Sequence, residues 1–587
     1  MSDVLTPGAG KCRAATFIAM IFATVAMAYS AAAAEQERDM STTTVDGGGS
    51  HFPHPQLSRF WLHVSETSAV VYFRAGALNR AAQSYVEYGF DKTYGQTTPL
   101  TGEPRLAQLH RLTGLVPGTE YHFRMVLVTE RGEVRSKDHT FTTEWFADAI
   151  RIPQDVEGPP YTLDQDGQRY VLTEDIVATD TAINVTGSDI TLELDGHTVT
   201  FGTTSSAQVR GVFVTGGGTT TVKNGHIVQG EAAGDYSAGV EARGRTAPVE
   251  VFGITTDIHR PNGSPMRLWG TGTATEAKIH HNHFFSTVTE IASRHYPGND
   301  LLDVDAGGPG IEIVDNLFTE GAHRAIGLSG EAPGAEVAFN DIRHHMRYTN
   351  GYALSISAGG GVDVHHNTVT SLGRGAYLSR ADIQFHDNYL DLAGHMTLDD
   401  LPQDSPFQEA RIAVHGIKLE GWGVTNTKVF DNYVRIIQLQ PDAEWDYTPA
   451  TPLNLGVYTP NAHNEIYDNT FVALTTYETT WHGDYWNNGQ WAAPLYFVAM
   501  TSGPADVGEY AAYIHDNKFF SNDLFVGAQD GEVNMTVRIE DNTFILVDDP
   551  PPTVGRQRYY QIGAALEAVV ENGDNTFIEC DETIGGC

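Results

Sequence analysis

The chain has 587 residues, 41% of them hydrophobic and 10% aromatic, which is enough apolar material for a large packed core and more than one domain. It carries 36 Lys and Arg against 74 Asp and Glu, a formal net charge of −38, and that excess repels nucleic acid and anionic membrane surfaces. A polyanionic partner would be repelled at long range too, unless a local basic groove or bound cations reverse the potential.

Residues 1–34 read as a secretory signal: Lys11 and Arg13 precede an apolar run from Ala14 to Tyr29, and Ala32, Ala33 and Ala34 supply small residues for cleavage. The expectation is a mature chain without a membrane span, secreted or periplasmic and probing its surroundings as a monomer. Cleavage takes two cations and one anion, Lys11, Arg13 and Asp3, so the charge moves from −38 to −39. Of three cysteines, Cys12 leaves with the signal; Cys580 and Cys587 frame a small terminal loop and are expected to pair in an oxidising compartment. Residues 35–57, polar and Gly-rich from Met40 to Ser50, read as a linker.

From residue 58 to 145 short strand-like runs alternate with turns, among them Ala69 to Phe73, Tyr85 to Tyr88, Leu109 to Leu112 and Tyr121 to Val128, the texture of a β-sandwich. The run Leu115-Val-Pro-Gly-Thr-Glu-Tyr121 resembles the fibronectin type III signature before its penultimate strand, which implies a tyrosine corner at Tyr121. Trp61 is expected to fill the core. Nothing in this segment converges acids or nucleophiles, so a spacer or carbohydrate-contact role is expected of it.

Residues 155–587 carry the strongest pattern, apolar-x-x-Asn-x-apolar, at Asn282, Asn316, Asn340, Asn367, Asn388, Asn432, Asn469, Asn517, Asn542 and Asn575. The apolar members lie at an odd offset before Asn and an even offset after it, which no single period-two strand can place on one face. The chain must turn at Asn, and Asn suits a corner because it tolerates left-handed backbone angles and bonds locally. Intervals of 21 to 48 residues fit one rung of a solenoid, with room for loops in the longer ones. In register, the amides would form a ladder.

These residues resemble the right-handed parallel β-helix superfamily, pectate-lyase-like, whose coils carry three strands and commonly an inward Asn ladder. Tyr170 to Ile176, Ile183 to Val185 and Ile190 to His197 look like its capping strand and first coil. The fold expected is therefore all-β, a right-handed parallel β-helix behind a fibronectin type III-like sandwich. The resemblance spans lyases, hydrolases, epimerases and non-catalytic adhesins, so activity must come from the site.

A packed β-helix has no interior pocket, so a ligand lies along an outer face. With the apolar members inward, strand alternation turns Arg267 and Trp269, Asp303 and Asp305, Tyr377, Lys418 with Glu420, and Tyr458 outward, and the turns leading into those strands add Arg324, Arg347, Arg374 and His415. In a chain poor in Lys and Arg this stripe points to a polysaccharide groove. Three functions are compatible with it. The first is β-elimination or C5 epimerisation of an acidic, uronate-containing polymer: Arg324, Arg374 or Ca2+ on Asp303 and Asp305 neutralises the carboxylate, Lys418 is the base, and His415 or Tyr377 the acid. Glu420, Trp269, Arg267, Tyr458 and Arg347 would contact substrate. The second is glycoside hydrolysis by Asp303 and Asp305. The third is a glycan-binding surface protein without turnover.

The histidine runs His280-His281, His344-His345 and His365-His366 lack HExxH spacing, and His281 and His366 occupy a place that Asp fills in other repeats, so they read as turn residues. Insertions at 390–413, 438–453 and 475–493 mark expected groove walls.

Overall fold

A computed structural model describes residues 57–579 apart from short gaps and the segments 76–81, 270–275, 287–299, 345–350, 394–413, 439–449, 476–480, 499–505, 529–535 and 548–558. The signal, the linker up to residue 56, Arg347, most of the three insertions and both C-terminal cysteines lie outside the described residues. Among the described residues no helix is long and apolar enough to cross a membrane.

The N-terminal part is a β-sandwich of two antiparallel sheets. One holds the strands Leu57–Val64, Ser68–Ala75 and Ala107–Thr113; the other holds Gln96–Thr97, Gln83–Gly89, Glu120–Thr129 and Gly132–Arg135, with His139–Thr142 also pairing to Glu120–Thr129. Val71, Phe73, Val86, Leu112, Phe123, Met125 and Leu127 pack between the sheets. The Val116 N–H donates to the Tyr121 hydroxyl at 3.0 Å, the backward contact expected of a tyrosine corner.

The remainder is a parallel β-helix. Each coil has three strands, and the first, Ile150–Ile152, already pairs in parallel with Arg169–Leu172, a little ahead of residue 155. Sheet A contains fourteen parallel strands from Tyr161–Leu163 to Tyr559–Tyr560. Sheet B is made of the strands before each ladder Asn and sheet C of those after it, for example Ile311–Val314 and Leu317–Glu320. In the early coils Thr220–Gln229 and Val249–Asp257 run through the corner and belong to both.

The repeat sets the register. Ile279, Ile313, Val337, Val364, Phe385, Val429, Ile466, Ile514 and Ile539 are consecutive Cα partners up the stack, and all are fully buried. A second inward column begins Phe284, Phe318, Ile342, Val369 and Leu390. A slip of one residue would send a whole column into solvent, so the apolar pattern itself fixes the pairing.

The ten asparagines form one continuous ladder. Each side-chain amide nitrogen donates to the side-chain oxygen of the next Asn at 2.9 to 3.1 Å. The backbone N–H of each donates to that same oxygen. The other amide hydrogen serves a carbonyl of the previous coil, as from Asn316 to Ile279 and Asn340 to Ile313. Buried amides are thus satisfied on every side, the condition under which a polar column strengthens a core. One expectation is corrected: the left-handed residue at the corner is the one before Asn. His281, Asp315, Phe339, His366, Asp387, Asp431, Asp468, Asp516, Asp541 and Asp574 have φ between 52 and 57°, which explains the recurrent Asp there, a residue that tolerates this region.

The sandwich is no spacer held at a distance. It is docked on the corner flank of the early coils. Asp195 accepts from the Thr67 N–H and hydroxyl and the Ser68 hydroxyl at 2.8 to 3.1 Å. Asp341 accepts the Leu106 and Ala107 N–H groups, both at 2.9 Å. Between them Arg111 donates to the Gly225 and Gly253 carbonyls at 3.1 and 2.6 Å, and Arg74 donates to the Phe339 carbonyl. Trp61 does not fill the sandwich core: its ring stacks on His281 with centroids 4.3 Å apart and meets Phe252 edge-on. The reason is double-sided burial. All eight residues of Ser68–Ala75 are buried, one side facing the partner sheet and the other facing the coil.

Candidate functional site

The outward residues of sheet A form rows that run up the rod. One row is Glu241, Arg267, Asp303, Gly327, Ser355, Tyr377, Lys418, Asn454 and Tyr496, each the Cα partner of the next. Two residues further along each strand a second row contains Arg243, Trp269, Asp305, Ser329 and Ser357, and, where the strands resume pairing, Glu420. Three residues before the first row lie Asp300 and Arg324, at the turn into the sheet, and Tyr352, Arg374, His415 and Thr451, at the start of their strands, with Tyr352 paired to Arg374 and His415 to Thr451. Stacking therefore brings side chains more than 100 residues apart onto one face.

The other outer face offers less to a sugar. On sheet B the rings of His365, His386, Phe430, Tyr467 and His515 stack face to face, 4.6 to 5.2 Å apart and within 13° of parallel. Their faces cover one another and leave only edges outward, whereas stacking on a sugar needs an open face.

Two clusters occupy the sheet A face. In the first, Lys418 lies in the row between Tyr377 and Asn454, and its ammonium sits 2.9 Å from the Glu420 carboxylate, which lies over Gly456 of the next coil. A Cβ at Gly456 would meet Glu420 Cγ at 3.0 Å, so glycine makes the room. Burial lowers the Lys418 pKa, the Arg374 charge lowers it further, and Glu420 opposes both. Arg374 packs over the Tyr352 ring at 5.2 Å. Tyr377 is tilted against Tyr352 at 5.2 Å, and burial raises its hydroxyl pKa, with Glu420 and Tyr458 adding to the effect. Tyr458 lies beside Trp422, with centroids 5.6 Å apart, and Trp422 is 67% exposed.

His415 belongs to this cluster but not as an acid. It is buried; Asn454 donates from Nδ2 to its Nδ1 at 3.2 Å, and the Thr451 hydroxyl lies 2.7 Å from the same nitrogen. Burial, with Arg374 and Lys418 nearby, drives its pKa well below the usual imidazole value. The ring is neutral at physiological pH and holds Asn454 in place beneath the face.

The second cluster lies three or more coils away. Arg324 donates from Nε and Nη2 to Asp300 at 3.0 and 2.5 Å, and His323 Nδ1 lies 2.8 Å from the same carboxylate. Its guanidinium crosses Gly327, where an added Cβ would meet Arg324 Cζ at 3.2 Å. Burial alone would raise the Asp300 pKa, but His323 and Arg324 outweigh it and hold the carboxyl well below the usual range. Asp303 moves the opposite way, raised by burial and then by the Asp300 charge, while accepting the Trp269 indole N–H at 2.8 Å. The Ser329 hydroxyl lies 3.5 Å from Asp305.

Arg374, Tyr377, His415, Lys418, Glu420 and Tyr458 are thus brought together, while Arg267, Trp269, Asp303, Asp305 and Arg324 share the face at a distance from them. Arg347 lies outside the described residues. Asp303 accepts the Trp269 indole N–H, and among the described residues no group of three or more His, Cys, Asp or Glu side chains converges to hold a metal. Asp300, Tyr352 and Trp422 were not anticipated. Asp300 stands three residues before Asp303, the offset of Arg374 from Tyr377 and of His415 from Lys418, so extending that row across the turn finds both Asp300 and Tyr352.

No family model matches the chain, and no curated protein does. Among solved structures, a family 28 exopolygalacturonase of Yersinia enterocolitica is similar at 12% identity over 81% of this chain and 99% of its own, with a TM-score of 0.26. A pectate lyase of Pectobacterium carotovorum is similar at 9% identity over 57% of this chain and 86% of its own, with a TM-score of 0.17.

Proposed function

We propose that this protein acts outside the cytoplasm on a uronate-containing polysaccharide laid along sheet A, removing the proton at C5 of a uronate to cleave the adjoining bond by β-elimination or to invert that carbon. The observation that carries this reading is the Lys418 cluster: an amine with a lowered pKa beside a half-buried guanidinium and a phenol that keeps its proton. Arg374 pairs with the uronate carboxylate and stabilises the charge that spreads into it when C5 loses its proton. Lys418, as free amine, takes that proton. The electron pair forms the C4–C5 double bond, the C4–O4 bond breaks, and the Tyr377 hydroxyl gives its proton to the departing oxygen. In epimerisation the same carbanion is reprotonated from the opposite side. Glu420 orients Lys418, His415 positions Asn454, and Tyr458 with Trp422 offers aromatic contact to the chain. No step is assigned to a cation.

One observation favours a second reading. Asp300 and Asp303 have their pKa values pushed apart by their surroundings, the arrangement hydrolases use to hold one carboxyl ionised and the other protonated. The pair differs from Asp303 and Asp305, which the sequence suggested.

Purified protein incubated with alginate, polygalacturonate and other uronate polymers, with and without a chelator, separates these readings. Absorbance from unsaturated chain ends supports elimination, and solvent-proton exchange at C5 without cleavage supports epimerisation. Fragmentation without such absorbance moves the assignment to Asp300 and Asp303. Binding without any product leaves a glycan-binding protein.

A further inference from the structure

Three guanidinium groups gather near the N-terminal end of the same face, in a protein whose net charge is −38. Arg210 donates to both oxygens of Glu241 at 3.0 and 3.2 Å, and Arg243 approaches the same carboxylate at 2.8 Å. Arg267 is the Cα partner of Glu241 on the next strand. Glu241 itself is fully buried under this group and is paired by Arg210 and Arg243, while the side chain of Arg243 remains 44% exposed. Trp269 lies within reach of both neighbours, 5.5 Å from Arg243 and 5.2 Å from Arg267, and its indole N–H is fixed by Asp303 on the following strand. A burial cost of this size is repaid structurally only in part, since a half-exposed arginine at a surface ion pair contributes little to stability.

The spacing to the Lys418 cluster is set by the sheet. From Ser264–Trp269 to Val414–Gly421 the strand order passes through Leu302–Gly307, Ile326–Glu331, Tyr352–Gly359 and Arg374–Leu378, five steps in all. At ~4.8 Å per step this is about 24 Å, the reach of about five sugar residues of an extended glycan. The floor is lowest at the middle two of these four strands, where Gly327, Ser329, Ser355 and Ser357 are the outward residues. The Arg324 guanidinium crosses Gly327, Asp303 and Asp305 border this stretch on one side and Tyr377 on the other.

We propose that Arg243 and Trp269, backed by the buried Arg267, whose guanidinium donates to the Ser264 hydroxyl and the Tyr236 carbonyl, form a distal subsite for an anionic sugar, placed about five residues from the reacting uronate, which makes the protein selective for long acidic chains over short ones. This rests on the reading of Lys418 as the reacting centre. The added grip comes from the exposed Arg243 guanidinium pairing with a carboxylate or sulfate on the remote residue, so it is realised only when the chain spans both clusters.

The test measures binding of size-graded oligogalacturonates and oligoguluronates, trimer against octamer, to the full chain carrying Lys418→Ala, alone and combined with Arg243→Ala, Trp269→Ala or Arg243→Lys, with thermal melting run on each. Octamer binding at least tenfold tighter than trimer, lost with Arg243→Ala and with Trp269→Ala and partly restored by Arg243→Lys, is the expected result; trimer affinity should not change. An octamer advantage that survives both alanine variants, or no octamer advantage in Lys418→Ala alone, overturns the distal subsite. The reading of Lys418 is judged separately by turnover: full activity of the Lys418→Ala protein on polymer defeats that reading even where the octamer preference stands.

Discussion

The coils present two kinds of polar face, and their difference separates architecture from function. On the corner flank the charged groups that meet the sandwich are enclosed and held by protein partners: Asp195 accepts from Thr67 and Ser68, Asp341 accepts two backbone N–H groups on one oxygen, and Arg111 reaches two backbone carbonyls. On sheet A the charges of the same rod stay partly open. Lys418 and Glu420 retain 15% and 24% exposure of their side chains, and Arg243 retains 44%. A buried carboxylate that has spent its oxygens on backbone N–H groups has nothing left for a ligand, whereas a half-open pair can exchange one partner for another. Enclosed polar contacts hold domains together; incompletely enclosed ones mark where a polymer can compete.

Substitutions on the two faces should therefore have opposite signatures. The largest effect on turnover is expected from Lys418→Ala, about a 10³-fold loss in kcat on whichever uronate polymer the protein cleaves, with the melting temperature nearly unchanged. The largest effect on stability is expected in the ladder: Asn388→Ala leaves the Asn367 amide without its acceptor and should cost about 3 kcal/mol by denaturant unfolding, while the soluble fraction keeps its kcat. Asp341→Ala uncovers two N–H groups and should lower stability by about 2 kcal/mol and open the sandwich to limited proteolysis, again without a change in turnover. Reversed signatures, with Asn388→Ala abolishing chemistry in folded protein or Lys418→Ala unfolding it, would erase the distinction between the faces.

A milder effect should follow pH. Burial pushes the His226 and His283 imidazoles down to about 3, with Arg111 and Arg105 next in effect for the two rings. Both are neutral in the folded protein, whereas an unfolded chain protonates them below its ordinary value of about 6.5. The stability they confer is complete above that value and is lost progressively as the pH falls toward 3. The melting temperature should drop on acidification across this window, and less steeply in a His283→Gln variant. The smallest effect is expected from Tyr458→Ala, about a threefold rise in KM with kcat held.

How far the chain could be read in advance follows the same division. The ladder and its apolar columns were legible because they repeat within each coil, and stacking converts a local pattern into a global register. The corner's left-handed residue was misassigned to Asn because both Asn and Asp tolerate that backbone, and only the dihedral angles choose the Asp before it. Trp61 was misplaced because an antiparallel strand has two faces and the sequence does not say what covers the second. The unbroken run Ala69-Val-Val-Tyr-Phe73 was the available signal, since continuous apolar strands are buried on both sides. The docking contacts themselves join residues more than 100 positions apart with no shared motif. On sheet A the outward strand residues follow the alternation, while Asp300, at the turn into the sheet, and Tyr352, at an odd offset at the start of its strand, fall outside the period-two frame.

A crystal structure of the Lys418→Ala protein with an acidic octasaccharide bound tests the central claim most directly. The account predicts sugar density along sheet A, with one carboxylate against Arg374 and the chain running over Gly327 toward Trp269. Density confined to sheet B or to the sandwich, with sheet A bare at saturating ligand, would contradict it.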